Sequence, residues 1–108
     1  MVRGRYSLQV PEILTPLTFE PHVGSVFSIT VGVGSTVSAE LDKVVRHEPR
    51  SHGDRTQPFS LLFVGQQGQP LPQATYSMKH ATLGQIDIFL VPIGPLQDGR
   101  QQYEAVFN

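Results

Sequence analysis

The chain has 108 residues, of which 39% are hydrophobic and 16% are charged, and its formal net charge at pH 7 is −1. The length fits one domain with its own core. The near-neutral charge argues against a nucleic acid or an anionic membrane surface as a partner, because both attract a basic excess. Cysteine is absent, so the chain has no disulfide and no thiolate nucleophile or ligand.

The low charge also favours a surface that packs against another protein. Soluble domains usually have about 25% charged residues, and the centre of a protein interface is depleted in charge. No stretch approaches the ~18 apolar residues of a membrane span. The N-terminus has two early arginines but no long apolar run after them, so no cleaved signal peptide is predicted. We expect a cytoplasmic protein by default, with non-classical export or assembly into an extracellular structure left open.

Residues 1–14 are predicted to be a lead-in segment that pairs with its own sheet or with a neighbour, and residues 15–108 a single β domain. Gly and Pro divide the domain into short pieces in which apolar residues alternate with polar ones, as in strands. One short helix is predicted at 15–21, "TPLTFEP", between Thr15 as cap and Pro21 as stop. The predicted strands are 26–31, 35–45, 58–65, 74–80, 85–94 and 101–107.

This spacing predicts an all-β fold, a small antiparallel barrel or sandwich of about six strands with at most one short helix. The alternation points one set of side chains inward. The bulky members of that set are Phe27, Phe59, Phe63, Tyr76 and Phe107. The link "GVGS" at 32–35 predicts a hairpin across 26–45, because Gly tolerates positive φ.

The run "GQQGQPLPQ" at 65–73 is predicted to be the turn of a second hairpin, across 58–80. Gly65 and Gly68 supply turn conformations, and two prolines stiffen the return. Gln side chains are poor acids and bases, so a connector is favoured over a catalytic site. A functional alternative is that Leu71, exposed among polar residues, contacts a partner.

The densest polar cluster lies in the loop 46–58. His47, Glu48, His52 and Asp54 are possible Zn²⁺ ligands, but three arginines in the same loop would repel a metal ion and the spacing matches no metal-binding signature. The same loop lacks the aromatic residues that stack on nucleic-acid bases. A solvated loop is therefore expected, with no metal ligand assigned.

His80 is the other residue with possible chemistry, since histidine can act as a general base. A triad would need a Ser and a carboxylate to converge on it, and the chain has no G-x-S-x-G elbow. We expect His80 to cap its strand by a hydrogen bond to a turn carbonyl. No catalytic residue, cofactor or enzymatic activity is predicted.

The strand at 85–94 carries apolar residues on both faces. Opposite the inward Ile86, Ile88 and Leu90 lie Asp87, Phe89 and Val91. Leu62 and Val64 likewise face away from the core on the strand at 58–65, which we expect to be a neighbour. If these four apolar side chains form one exposed patch, they predict an interface. The alternative is that both faces of these strands are covered within the chain.

Three runs, "PFSLLFVG", "LPQATYSMKHATLGQIDIFLVPIG" and "YEAVFN", resemble a bacterial family of small uncharacterised domains, over residues 19–108. The resemblance rests on Leu71-Pro72-Gln73, Tyr76, His80, Leu83-Gly84, the run 89–92, Gly94, Tyr103-Glu104 and Phe107-Asn108. The family that the chain resembles has no established activity, cofactor or catalytic residue, so the resemblance assigns none to this chain. The resemblance implies a setting near phage-tail-like or secreted fibre proteins, and with it a structural or accessory role.

The sequence therefore favours a non-enzymatic interaction domain of a bacterial protein assembly. The domain would act either as a homo-oligomer or as part of a larger complex. Leu62, Val64, Leu71, Phe89 and Val91 are its predicted contact residues. The alternative is a β-barrel that binds a small ligand. A pocket lined by Tyr76, Tyr103 and His80 would support that alternative, whereas the bulky inward side chains predict a filled interior.

Overall fold

The structure is a computed structural model that describes residues 14–49 and 57–108. Its elements are α1 (Pro16–Phe19), a 3₁₀ turn (Glu20–His22), β1 (Val26–Gly32), β2 (Ser35–Arg46), β3 (Phe59–Gln67), β4 (Ala74–His80), β5 (Gly84–Pro95) and β6 (Arg100–Phe107). The six predicted strands and the short helix are confirmed to within a few residues. The predicted lead-in segment lies outside the described residues, except for Leu14, which packs on the core.

The six strands form one closed antiparallel barrel in the order β1-β2-β3-β6-β5-β4. The barrel is therefore the correct one of the two predicted architectures. The first predicted hairpin is confirmed, because β1 pairs with β2 in a register that sets Ile29 opposite Val37. Closure leaves the core on the inside, where the inward residues of all six strands meet.

The second predicted hairpin is wrong. β3 pairs with β2 and β6, whereas β4 pairs with β1 and β5, so the two strands joined by "GQQGQPLPQ" are not neighbours. The connection instead crosses the mouth of the barrel. We call this end the top. It is the end where β3 finishes and β4 begins, and the connection reaches across because Pro70 and Pro72 keep it extended.

The bottom of the barrel is closed by α1. The backbone N–H of Thr15 donates to Oγ1 of Thr18 at 3.1 Å, and the N–H of Thr18 donates to the carbonyl of Thr15 at 3.0 Å, which fixes the start of the helix. The helix ends in Phe19, whose ring is fully buried. Its centroid lies 6.0 Å from that of Phe59 and 5.9 Å from that of Phe107, and the latter two rings stack at 4.6 Å. An aromatic cluster therefore plugs the lower opening.

The interior is filled with side chains. The ring of Phe27 meets that of Phe63 edge-on, with centroids 5.2 Å apart. The buried hydrophobic residues are Phe19, Phe27, Ile29, Ala39, Leu41, Phe59, Leu61, Phe63, Met78, Ile86, Ile88, Leu90, Tyr103 and Ala105. The inward alternation predicted for β3 and β5 is confirmed. Tyr76 and Phe107, also predicted inward, are half-buried at the edge of this core.

Phe63 should be among the side chains on which stability depends most. Replacing it with Ala leaves a cavity beside Phe27, and we expect the free energy of unfolding to fall by about 3–5 kcal/mol. The measurement is urea denaturation followed by circular dichroism. Phe89→Ala, which truncates a half-exposed ring, is the matched control and should lower stability much less. Equal losses in the two variants would contradict a core centred on Phe63.

Candidate functional site

The predicted outer patch is divided by a strand. Leu62 and Val64 lie on β3, and Phe89 and Val91 lie on β5, but β6 runs between these two strands. The expectation that β3 and β5 are neighbours is therefore wrong. Leu62 and Val91 both pair with Glu104 of β6 and so flank its carboxylate from opposite sides. The four side chains face outward, as predicted, but in two groups.

The half of the face on β3 is the more covered. Leu62 lies between Lys43 and Glu104, and Val64 lies between Glu40 and Gln102. Both apolar side chains are half-buried. Long charged side chains can lay their aliphatic stems over apolar neighbours, so this half has few apolar atoms to offer a partner.

The half on β5 and β6 is open. Phe89 is 49% exposed, and Val106 of β6 is 54% exposed. On these neighbouring strands, Phe89 and Val106 each lie two residues beyond the pair formed by Val91 and Glu104. Ile93, next to the bulge of β5, is exposed as well. We call Phe89, Val91, Ile93 and Val106 the outer patch.

Val106 was missed by the sequence analysis, although a signal for it was present. Along β6, Gln102, Glu104 and Val106 share one face. The two polar residues identify that face as outward, and the same alternation places Val106 there too. Asp87, predicted on the outer face of β5, is exposed as expected.

The sequence analysis expected an exposed Leu71, and this expectation is wrong. It is half-buried and packs against the core from above. Its backbone N–H donates to the hydroxyl of Tyr103 at 2.8 Å, and the amide of Gln101 donates to the carbonyl of Gly68 at 2.6 Å. These bonds tie the connection 68–73 down over the top of the barrel. Tyr76, near the start of β4, donates its hydroxyl to the carbonyl of Pro72.

His80 ends β4 at the bottom of the barrel and is buried. Its Nδ1 accepts the backbone N–H groups of Thr82 and Leu83 at 3.0 and 3.2 Å. It therefore caps the turn after its strand, but by accepting amide protons rather than by donating to a carbonyl as predicted. Its Nε2 lies 2.8 Å from Oγ of Ser25, whose hydroxyl donates to the carbonyl of His22.

These contacts assign the protonation state of the ring. Since Nδ1 accepts two N–H groups, the single proton of the neutral ring sits on Nε2 and is donated to Ser25. Nε2 then has no lone pair with which to take a proton from the serine, as a general base would. Burial lowers the pKa of His80 below the ordinary value of 6.5, and the nearby His22 lowers it further. The arrangement stabilises a neutral, structural histidine.

The polar loop after β2 is described only in part. His52 and Asp54 lie outside the described residues, while the ring of His47 contacts Ser60 through Nε2 at 2.8 Å. Across residues 14–49 and 57–108, no three His, Asp or Glu side chains gather in a way that could hold a metal ion. Within the same ranges no helix is long and apolar enough to cross a lipid bilayer.

Fold and surface together define a small closed β-barrel whose distinctive features lie on its outside. Residues 14–107 match the family model described as Domain of unknown function (DUF6916), and the chain belongs to this family. Neither a curated protein nor a solved structure matches the chain. The predicted resemblance to a family of uncharacterised domains is thereby confirmed.

Acid should destabilise the barrel through His80. Its folded pKa is lowered, so the unfolded chain binds the proton first, and stability should fall as the pH drops below the ordinary value of 6.5. In His80→Asn the side-chain oxygen can still accept the turn amides but does not titrate. Urea denaturation between pH 7.5 and 5 should show a flatter dependence in the variant. Parallel curves would contradict the assignment.

Removing the hydroxyl of Tyr103 should loosen the connection over the top. Tyr103→Phe leaves the N–H of Leu71 without its acceptor, and we expect a loss of about 1 kcal/mol with faster hydrogen exchange at the Leu71 amide. Tyr76→Phe is the control, because it removes the hydroxyl that donates to the carbonyl of Pro72 but leaves the acceptor of the Leu71 N–H in place. NMR-detected exchange measures both variants. An unchanged Leu71 rate in Tyr103→Phe would show that the bond does not hold the connection.

Proposed function

We propose that this domain is a non-enzymatic contact module of a bacterial protein assembly, and that it binds another protein chain through the outer patch. The observation that carries the proposal is the exposure of Phe89 and Val106 on adjacent strands, each two residues beyond the pair formed by Val91 and Glu104. Most exposed apolar residues stand singly and need no explanation, whereas contiguous ones mark interaction sites.

Phe89 is the natural anchor of this contact. Aromatic residues dominate the binding energy of protein interfaces when a partner encloses them fully. Complete burial of a Phe side chain contributes about 1.5–3 kcal/mol. Because half of the ring is already covered by the barrel, enclosing the remainder adds roughly half of that amount. Phe89 also lies on a paired strand, so its backbone is already ordered and little conformational entropy is lost when a partner binds.

Polar groups around the patch resemble the rim of an interface. Glu104 lies beside Val91, and Asp87 lies two residues from Phe89 along β5. Charges at a rim set the orientation and the rate of association more than the affinity. Leu62 and Val64, with their polar neighbours, belong to the far side of this rim. Leu71, held against the core, is not part of the proposed contact.

The filled interior weighs against the alternative of a ligand-binding barrel. The space at the top is a crevice of about 90 Å³, whereas ligand pockets occupy about 300–1,000 Å³. Tyr103 lines this crevice, but His80 lies at the opposite end of the barrel. The three residues expected to line a ligand pocket therefore do not form one.

The contact can be tested with a photo-crosslinking amino acid at single positions in the full chain, expressed in its native cells. Placed at Phe89 or Val106, the probe should give a discrete covalent adduct, and mass spectrometry of the adduct identifies the partner chain. Val23 is the control position, because it is apolar and 47% exposed but lies away from the outer patch. The same adducts from Val23, or none from Phe89 and Val106, would overturn the proposal.

A further inference from the structure

The barrel is closed by one short ladder, between β1 and β4. It consists of two residue pairs, Ser28 with Lys79 and Ile29 with Met78, fewer than any other two neighbouring strands share. We call this ladder the seam. Regions held by few backbone hydrogen bonds open at a lower free energy than the rest of a fold. The seam is therefore the join at which this barrel opens most easily.

The side chain of His80 holds the lower end of the seam together. Its Nε2 bonds Oγ of Ser25, the residue before β1, and its ring packs on Phe27 of β1 with centroids 4.6 Å apart. Its Nδ1 accepts the backbone N–H groups of Thr82 and Leu83, in the turn between β4 and β5. One imidazole thus connects β1, β4 and the following turn.

This arrangement fits only a neutral imidazole. Protonation puts a hydrogen on Nδ1, towards which two backbone N–H groups already point, so three donors would meet without an acceptor. The His80 residue is only 8% exposed, so water has little access with which to solvate the new charge in place. The ring must therefore leave its site to become charged. Leaving breaks the bond to Ser25 and uncovers Phe27.

The surroundings of His80 do not balance a positive charge either. In the 3₁₀ turn, His22 meets the ring edge-on with centroids 4.6 Å apart, and Glu20 of the same turn is paired with Arg46. β1 and the turn after β4 contain no charged residue, and the residue before His80 is the cation Lys79. Within the part of the chain that the structure describes, no carboxylate forms an ion pair with the ring.

We propose that the seam is an acid-operated switch, in which protonation of His80 releases its ring and separates β1 from β4 while the other ladders of the barrel stay paired. The separated strands then expose the backbone groups that pair Ser28 with Lys79 and Ile29 with Met78. This opening is local, and it is distinct from the loss of overall stability in acid.

A single proton sets the size of the response. The open seam takes up this proton at the ordinary histidine pKa of 6.5, whereas burial keeps the pKa of His80 lower in the closed barrel. Opening therefore becomes easier as the pH falls below 6.5. Between pH 7.5 and pH 5.5 the open fraction should rise by up to about tenfold, since one pKa unit corresponds to a factor of ten.

NMR-detected hydrogen exchange on the full chain tests the switch. At pH 5.5 the amides that bond across the seam should be less protected than those of the β3–β6 ladder, and up to about tenfold less protected than at pH 7.5. Dilute urea should hardly change exchange at the seam, because a local opening exposes little surface. It should accelerate exchange in the β3–β6 ladder. Seam amides that respond to urea as steeply as that ladder would show that only global unfolding occurs, and would overturn the proposal.

Two histidine variants assign the response to its residue. His80→Asn retains an acceptor for the turn amides but does not titrate, so exchange at its seam should keep the same protection at both pH values. His47→Asn is the matched control, because the His47 ring contacts Ser60 of β3 and not the seam. The control should show the full response of the wild-type chain. An equal response in the two variants would contradict the role of His80.

A disulfide across the seam provides a test that leaves His80 in place. Opposed residues of an antiparallel pair have Cα atoms about 4.5–5.5 Å apart, a separation that a disulfide spans. The chain has no cysteine of its own, so Ser28→Cys/Lys79→Cys introduces one defined pair. The oxidised form should keep its seam protected at both pH values, and the reduced form should respond like the wild-type chain. A full response in the oxidised form would place the opening elsewhere and overturn the proposal.

Discussion

The closure of the barrel depends on the short join between β1 and β4. Only Ser28 with Lys79 and Ile29 with Met78 are paired there, so the ladder alone is a weak link between the first strand and the fourth. His80, the next residue of β4, adds a hydrogen bond to Ser25 and places its ring 4.6 Å from that of Phe27. A neutral, buried histidine thus reinforces the short ladder that closes the sheet.

Closure has a direct consequence for function. Six strands around Phe27 and Phe63 leave an interior that is occupied by side chains, as expected for a small barrel. A solute has little room among these side chains. The histidine most open to a catalytic interpretation, His80, has both ring nitrogens engaged in holding the fold. The proposed function therefore concerns the outside of the molecule.

The two ends of the barrel are closed in different ways. At the bottom, Phe19 of α1 packs against Phe59 and Phe107. At the top, a connection without regular structure lays Leu71 over the core and leaves a crevice. An apolar plug needs few hydrogen bonds, whereas a loop must satisfy its backbone groups, here through Tyr103 and Gln101.

The sequence by itself determined the strands, the short helix and the inward side chains, because a period of two and the positions of Gly and Pro are local properties. Phe63 and Phe89 were assigned to opposite faces on that basis alone, and Val106 could have been. Strand order was beyond its reach, since pairing across a barrel joins residues far apart in the chain. Only the tertiary structure decided that β6 separates β3 from β5 and that Leu71 covers the core.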